Sequence, residues 1–195
     1  MRRRVGEQRT TGLLDARDVS SGGPSFSLRN RVQRASFALC WTIMAAWTPP
    51  ALHRWRCLIL RLFGARVGIG VRIYASTKIW HPANLNIGDA ATIGPRVRLY
   101  NQGRIAIGSR AVISQGAHIC ASTHDVTDPF FQLMLRPVTI GDDAWIAADS
   151  FVGPGVEIGT GAVLGARGAA FRRLDAWTIY GGNPATRLKV RVMNT

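Results

Sequence analysis

The sequence predicts a mainly β fold in which short parallel strands coil into a three-sided prism. Aliphatic residues recur at every sixth position, which fits neither a helix of 3.6 residues per turn nor a strand of period two. The repeats are Ile107, Ile113, Ile119; Ile140, Ile146, Val152, Ile158, Leu164, Ala170; and, with one change of phase, Val67, Ile73, Ile79, Ile87, Ile93, Leu99. This period is typical of a solenoid whose aliphatic side chains point inward from successive faces.

In the second set, which runs from Ile140 to Ala170, glycine follows the aliphatic residue at Gly141, Gly153, Gly159 and Gly165. Because glycine adopts left-handed backbone conformations without steric cost, we expect these positions, with nearby Asn and Asp, to supply the turns between strands.

The composition describes one globular domain with an appendage. The 195 residues are 47% hydrophobic, and the mean hydropathy is +0.06, which fits neither a disordered nor a membrane-spanning chain. Three cysteines at spacings unlike those of metal sites argue against a disulfide framework and favour a reducing cytoplasm. The first thirty residues hold no apolar stretch of the kind that a signal peptide needs.

The chain carries 25 basic and 11 acidic residues, a net charge of +14. That balance suits nucleic acid, an anionic membrane surface or a phosphorylated ligand equally well, so charge alone identifies no partner. Since the arginines are not interleaved with a nucleic-acid-binding motif or an aromatic stacking platform, we expect no nucleic-acid partner.

Three segments follow one another along the chain. Residues 1–34 are basic and rich in Ser and Gly, and they are predicted to be flexible. Residues 35–64 are predicted to form a helical cap, and residues 65–195 the β-helix domain with a C-terminal tail that folds back.

The predicted helical cap is apolar but too short to span a bilayer. Thr48 is expected to cap its second helix, with Pro49 and Pro50 in the first turn and Gly64 after the last. One interpretation places the helices over the open end of the prism, because a solenoid needs a cap over its first coil. A second seats their Trp and Arg residues at the inner face of a membrane, and the two are compatible.

The hexad register breaks between Ile119 and Ile140, which are 21 residues apart rather than the 18 of one three-sided coil. Residues 125–137 are therefore predicted to leave the prism as a loop, and such insertions often carry function. His124 stands at the start of this loop, beside Asp125. An imidazole takes up a proton near neutral pH, so we expect His124 to act as a general base.

Four stretches carry a resemblance to a known family: HDVTDP at 124–129, PVTIGDDAWI at 137–146, VGPGVEIG at 152–159 and WTIYGGNPA at 177–185. In them the chain resembles the hexapeptide-repeat acyltransferases, and among these the colanic-acid biosynthesis acetyltransferases, relatives of maltose, galactoside and nodulation-factor acetyltransferases. The loop histidine and the Trp-Ile pair are the specific part, because hexads alone also occur in relatives that transfer no acetyl group.

The resemblance implies a left-handed parallel β-helix that assembles as a homotrimer, with each active site between two subunits. It implies O-acetyl transfer from acetyl-CoA to a hydroxyl of a sugar or lipid-linked saccharide, as in exopolysaccharide biosynthesis, without a metal. His124 matches the family's base, and a backbone N–H at Ala148 matches its oxyanion donor. The other matches are Trp145, Ala147, Gly165, Ala166, Arg172 and Arg173 on the acetyl-CoA side, and Tyr100, Asn101 and Asp125 on the acceptor side.

Two departures from the family pattern concern the acetyl-CoA contacts. Ala147 stands where relatives carry glycine, and its methyl group is expected to crowd the thioester. Asp175 and Ala176 stand where relatives carry a proline-containing run, and they are expected to loosen the turn at the nucleotide end.

Two alternative functions share the predicted fold. His81, His118 and His124 come close to the ligand spacing of γ-carbonic-anhydrase-like metal lyases, although each gap is one residue off. The other alternative is a scaffold without catalytic activity that recruits partners through the helices and the basic tail.

Overall fold

The computed structural model describes residues 25–193, which form two helices followed by a parallel solenoid with three faces. Successive strands visit the faces in a fixed order, here called A, B and C, and strands on the same face pair from coil to coil. The predicted mainly β solenoid is confirmed. Residues 1–24 of the segment that was expected to be flexible lie outside the described residues, as do 194–195.

The strands are short and are numbered in chain order. Face A holds Arg66–Val67 (β1), Leu85–Ile87 (β4), Ile105–Ile107 (β7), Val138–Ile140 (β12) and Glu157–Ile158 (β15). Face B holds Arg72–Ile73 (β2), Thr92–Ile93 (β5), Val112–Ile113 (β8), Trp145–Ile146 (β13), Val163–Leu164 (β16), Thr178–Gly181 (β18) and Thr186–Val190 (β19). Face C holds Lys78–Ile79 (β3), Arg98–Tyr100 (β6), His118–Cys120 (β9), Phe151–Val152 (β14) and Ala169–Ala170 (β17). Outside the faces, Ser122–His124 (β10) and Leu133–Leu135 (β11) form an antiparallel hairpin.

The core is a stack of aliphatic side chains that fills the prism. On face B, Ile93 pairs with Ile113, Ile113 with Ile146, and Ile146 with Leu164, and all four side chains are buried. Burial of one such side chain stabilises a fold by roughly 1.5–3 kcal/mol. The six-residue repeat is therefore the main stabilising pattern of the solenoid.

The glycines that follow the inward residues are required for space rather than for backbone conformation, so the prediction that they adopt the left-handed conformation was wrong. The left-handed residue of each turn lies two positions further along, at Asp143, Gly155, Gly161 and Arg167, with φ between 56° and 75°. The expected contribution of Asp and Gly to the turns is therefore confirmed at these later positions, although Arg167 and, in an earlier coil, Ala90 are left-handed as well. A Cβ at Gly141 would lie 2.6 Å from the backbone nitrogen of Thr160, and one at Gly108 would lie 2.5 Å from that of Asp142. The coils approach so closely that a methyl group at this corner position would strike the next coil.

The excursion after Ile119 occupies one corner rather than a whole coil. Ile140 pairs with Ile107 on face A, whereas Ile119 pairs with Val152 on face C. The comparison with an 18-residue coil was therefore wrong, because Ile119 and Ile140 lie on different faces. The chain leaves face C after β9, forms the hairpin from Ser122, three residues before the expected start of the loop at 125, and returns to face A as β12.

The helical cap consists of Leu28–Met44 (α1) and His53–Leu62 (α2). Helix α1 begins inside the segment that was expected to be flexible, and the Ser27 hydroxyl caps it by accepting a hydrogen bond from the Asn30 N–H at 3.3 Å. The buried Trp41 of α1 donates from its indole to the Ala75 carbonyl of the first coil at 3.2 Å. Helix α2 buries its own apolar side and ends before Gly64, which has φ of 92°.

A buried arginine holds the turn between the helices. The predicted helix start at Thr48 was wrong, since α2 begins at His53. The Thr48 hydroxyl instead donates to the Ala45 carbonyl at 2.6 Å and accepts from the Arg56 guanidinium at 2.6 Å. Arg56 is fully buried and also donates to the Ile73 carbonyl at 2.6 Å. These bonds replace the hydration of the guanidinium and tie the turn to the first coil.

The C-terminal tail folds back onto face B, as predicted. Strand β19 pairs antiparallel with β18, and the Arg191 guanidinium donates to the carbonyls of Asp143 and Gly161 at 2.8 and 2.9 Å. The tail thereby covers a strand edge that would otherwise be open to pairing.

Replacing Gly141 by Ala is expected to lower the free energy of unfolding by about 1–3 kcal/mol, because the methyl group must displace the next coil. The opposite change, Ala90→Gly, relieves a left-handed alanine and is expected to leave stability unchanged or to raise it. Chemical denaturation of both variants measures the difference. Equal destabilisation by the two changes would contradict the spacing argument.

Candidate active site

His124 lies at the end of β10, paired with Leu133 across the hairpin. Its side chain is exposed, and its Nδ1 lies 2.6 Å from the carbonyl oxygen of Phe131. Because a carbonyl only accepts hydrogen bonds, Nδ1 of the neutral ring carries the hydrogen and Nε2 presents a lone pair. The hairpin therefore holds the imidazole in the tautomer that a general base acting through Nε2 requires.

The Phe131 carbonyl is set by an unusual backbone conformation. Phe131 has φ of 50°, which is rare for a bulky residue, and its N–H donates to the Asp128 carbonyl at 2.9 Å. The sequence did not reveal this partner of His124, because a backbone acceptor leaves no trace in residue type. The left-handed residue also gave no signal, since it is not Gly, Asn or Asp.

Asp125 shapes the hairpin turn. Its Oδ1 accepts hydrogen bonds from the Thr127 hydroxyl at 2.7 Å and from the Thr127 N–H at 2.9 Å. These bonds, the hydroxyl first, lower the pKa of the Asp125 carboxyl group. The carboxylate that was expected on the acceptor side is thus held next to His124 in its charged form.

Tyr100 and Asn101 lie one coil before the hairpin, at the same corner between faces C and A. The partly exposed Tyr100 accepts a hydrogen bond at its hydroxyl from the Gln102 amide at 2.9 Å. Asn101 is fully buried, and its Oδ1 accepts from the N–H of Trp80 at 2.9 Å and of His81 at 3.2 Å. The Asn101 side chain thus supports the wall of this corner from inside instead of facing solvent.

Ala147 and Ala148 lie at the corner between faces B and C, directly after β13. Ala147 is buried, and its N–H donates to the Leu164 carbonyl at 2.9 Å. Its methyl group therefore lies largely within the coil stack, which does not support the expected crowding of a thioester.

Within residues 25–193, the Ala148 N–H meets no hydrogen-bond acceptor. At the same turn position on another corner, the Ser109 N–H donates to the Asp142 carboxylate of the next coil at 2.8 Å. The residue one coil beyond Ala148 is Ala166, which has no side-chain acceptor. A partly exposed backbone donor is therefore left available here, and such a donor suits a developing negative charge.

Gly165 and Ala166 continue the corner between faces B and C, one coil further along. The Gly165 carbonyl accepts from the Ser150 hydroxyl at 3.0 Å, and Ala166 is exposed. Small residues in succession leave this corner shallow, so an extended ligand has room to lie along it.

Trp145 projects from face B beside that corner. Nearly half exposed, it donates from its indole to the Ser114 hydroxyl at 2.9 Å. It lines a cleft of about 360 Å³ together with Trp177 and Arg191. Trp145 is therefore positioned by a hydrogen bond and available on a concave surface.

Arg172 and Arg173 are exposed and follow β17 at the corner between faces C and A. The Arg173 guanidinium lies 3.5 Å from the Glu157 carboxylate, and both side chains are largely in solvent. An ion pair of this kind contributes little to stability, so both arginines remain available to an anionic ligand.

The predicted site residues thus divide between two corners of one chain. His124, Asp125, Tyr100, Asn101, Arg172 and Arg173 lie at the corner between faces C and A, whereas Ala147, Ala148, Gly165 and Ala166 lie at the corner between faces B and C, next to Trp145. The whole width of face C separates the two groups. The fold brings the residues of each group together but does not bring the base of one chain to the free N–H of the same chain.

The histidines of the metal-lyase alternative have three different environments. His81 is buried, and burial first and the Arg34 charge second lower the pKa of its imidazole. His118 is half-buried on face C, while His124 is exposed on the hairpin. In the part of the chain that the structure describes, no three His, Cys, Asp or Glu side chains are grouped to hold a metal ion.

The repeats that form the coils match those of a known class of enzyme. The family model for bacterial transferase hexapeptide (six repeats) matches residues 137–167, which include Ala148 and Gly165. The chain is also 45% identical over 157 residues to the Escherichia coli (strain K12) protein named "Putative colanic acid biosynthesis acetyltransferase WcaF", covering 79% of this chain and 86% of that protein. The chain therefore belongs to the hexapeptide-repeat acetyltransferases, and it is an acyltransferase.

Two solved structures illustrate how widely this fold is shared. A maltose O-acetyltransferase from Clostridium difficile 630 has a TM-score of 0.76 at 21% identity, covering 86% of this chain and 90% of that one. The acetyltransferase VCA0836 of Vibrio cholerae O1 biovar eltor, complexed with acetyl coenzyme A, has a TM-score of 0.75 at 20% identity, covering 86% and 91%. At these identities the likeness concerns the fold.

Replacing Thr127 by Val is expected to raise the pKa of Asp125 toward its ordinary value, because the hydroxyl bond that depresses it most is lost. A depressed pKa stabilises the turn above the ordinary carboxyl pKa, and this contribution disappears as the pH falls through the lowered value. NMR titration of the Asp125 carboxyl carbon measures the shift. Thr123→Val, on strand β10, is the control that leaves the pKa unchanged; an unmoved Asp125 pKa in Thr127→Val would refute the assignment.

Proposed function

We propose that this protein is an O-acetyltransferase that moves an acetyl group from acetyl-CoA to a hydroxyl of a sugar or polysaccharide precursor, with His124 as general base. The observation that carries the proposal is the hydrogen bond from His124 Nδ1 to the Phe131 carbonyl. It orients an exposed imidazole on an excursion from an otherwise regular prism, with Nε2 free to accept a proton.

The chemistry needs a proton acceptor and a donor for the oxyanion. Nε2 of His124 takes the proton of the acceptor hydroxyl as that oxygen attacks the carbonyl carbon of the thioester. The Ala148 N–H donates to the oxyanion of the tetrahedral intermediate, and donors of this type contribute about 3 kcal/mol in other acyl-transfer enzymes. When the C–S bond breaks, the imidazolium returns the proton to the departing thiolate, which leaves an acetyl ester and a free thiol.

The corner between faces B and C supports acetyl-CoA as the donor. Gly165 and Ala166 leave room for a pantetheine arm beside the coils, and Trp145 offers an exposed indole next to them. Arg172 and Arg173 lie at the corner between faces C and A, so in the trimer proposed below they would reach this donor corner from the neighbouring subunit, where their exposed positive charge suits the phosphates of the nucleotide.

The division of these groups between two corners supports a homotrimer. In a cyclic assembly, the corner between faces C and A of one chain can meet the corner between faces B and C of its neighbour. His124 of one subunit would then act with Ala148 of the next, and each of three interfaces would hold one site. The separation of the two groups by face C supports this arrangement.

The acceptor we propose is a sugar, free or carried on a lipid, in exopolysaccharide synthesis. The relative in Escherichia coli is named a putative colanic acid biosynthesis acetyltransferase, and the structural neighbour from Clostridium difficile is named a maltose O-acetyltransferase. We place the reaction in the cytoplasm, where the thiols of Cys40, Cys57 and Cys120 stay reduced.

The His124→Ala variant is expected to lose about 10²- to 10⁴-fold in turnover, because the hydroxyl attacks without a base. Thiol release from acetyl-CoA, followed with a panel of sugar acceptors, measures this. Calorimetry with CoA is the control and should show unchanged binding, since the proposed role of His124 is to take the proton of the acceptor hydroxyl and not to hold CoA. Undiminished turnover of His124→Ala would contradict the role of His124 as general base. Failure of the parent protein to bind CoA would favour the alternative of a scaffold without catalytic activity.

Mixing two inactive variants tests whether each site spans two chains. His124→Ala removes the base, and Ala166→Trp is expected to block the donor corner. Co-assembled chains should regain activity at about a quarter of their interfaces, where an intact His124 meets an intact donor corner. If both groups acted within one chain, every site would lack one of them and the mixture would stay inactive.

A further inference from the structure

Helix α1 carries a second apolar stripe on its outward side. Leu28, Val32, Leu39 and Ile43 are all exposed, and Leu39 and Ile43 expose 64% and 60% of their surface. At 100° per residue, these four side chains fall within one narrow sector of the helix. Just beyond the end of α1, Trp47 is 74% exposed and donates from its indole to the Ile43 carbonyl.

The opposite side of α1 packs against the rest of the protein. Asn30, Phe37 and Trp41 are buried against the rest of the protein, and in helical projection they lie opposite the stripe. The outward stripe therefore does not serve the packing of the cap on the prism. A row of large exposed aliphatic side chains on a charged protein marks an interaction surface.

Among the described residues, the charged side chains that flank the stripe are all basic. Arg29 and Arg31 are exposed, and in projection they flank the stripe on either side. Residues 19–88, which contain both helices and the first coil, include no Asp or Glu at all. Among residues 25–193 the first acidic residue is Asp89, so the cap is the cationic end of the part of the chain that the structure describes.

We propose that the outward face of α1 binds the surface of an anionic lipid bilayer, with the helix lying flat. The aliphatic stripe would enter the boundary between headgroups and acyl chains, Arg29 and Arg31 would face lipid phosphates, and Trp47 would sit at headgroup level. A second copy of the chain is disfavoured as the occupant, because two acid-free cationic caps repel each other.

The geometry suits a peripheral contact. No helix within residues 25–193 is long and apolar enough to cross a bilayer. At 1.5 Å per residue, the stripe from Leu28 to Ile43 extends about 22 Å along the surface. Membrane binding does not depend on the proposed reaction, but it would bring the enzyme to saccharides that are carried on lipids.

The test is co-sedimentation of the full-length protein with vesicles of phosphatidylcholine containing about 30% phosphatidylglycerol, compared with phosphatidylcholine alone. We expect binding to the anionic vesicles to be at least about tenfold stronger, and to weaken severalfold when salt rises from about 0.1 to 0.5 M. The double change Leu39→Asp with Ile43→Asp should lower binding by at least about tenfold.

The matched control is Leu188→Asp with Val190→Asp on the exposed strand β19, which adds the same charge and removes two exposed aliphatic side chains. It should retain anionic-vesicle binding. Equal loss in both double variants, or equal binding to neutral and anionic vesicles, would overturn the proposal.

Light scattering after size exclusion, with thermal unfolding, is run on the same proteins. We expect the α1 variant to keep the parent's mass and melting temperature. A lower assembly mass in that variant would instead assign the stripe to contact between copies.

Discussion

The coils of the prism stack at the spacing that backbone pairing imposes, about 4.8 Å from strand to strand, and this spacing governs the rest of the structure. It leaves no room for a Cβ at Gly108 or Gly141. It also places equivalent turn residues directly above one another, so the side chain in one coil decides whether an N–H in the previous coil is capped. An aspartate closes the Ser109 N–H, whereas an alanine leaves that of Ala148 open. The proposed donor at Ala148 thus has no side-chain cap, whereas aspartates of the next coil cap the equivalent N–H groups of Ile69 and Ser109.

Much of the fold can be predicted from the sequence because every face of the prism requires an inward aliphatic residue at the same six-residue interval. Ile93, Ile113 and Ile146 are the same residue in the same environment, so the period reports the architecture directly. The cap follows no such rule. Thr48 has the residue type and the following prolines of a helix start, yet its hydroxyl serves Arg56, and that pairing depends on where the first coil places the Ile73 carbonyl. A long-range bond of this kind is absent from any local pattern.

The sequence indicates which residue types belong to the candidate site but not how they are arranged. His124 stands where the hexads stop, whereas Ala148 was indicated only by the resemblance to the family. What orients His124 is a carbonyl on a left-handed Phe131, which carries no marker in the sequence. For Asn101 the sequence suggested a contact with the acceptor, but the side chain is buried. Its Oδ1 accepts hydrogen bonds from the backbone N–H groups of Trp80 and His81. Burial, which decides between these roles, emerges only when the coils are stacked.

The hairpin leaves the prism and returns to it at a single corner, and this has a consequence for how such proteins diversify. Strand β12 pairs with β7 as though nothing had intervened, so the excursion removes no rung from the ladder of face A. Insertions, deletions and substitutions beyond His124 can accumulate without shifting the coils on either side. The hairpin, at which we propose that the acceptor binds, can therefore vary in sequence and length while the coils that supply the thermodynamic stability stay unchanged.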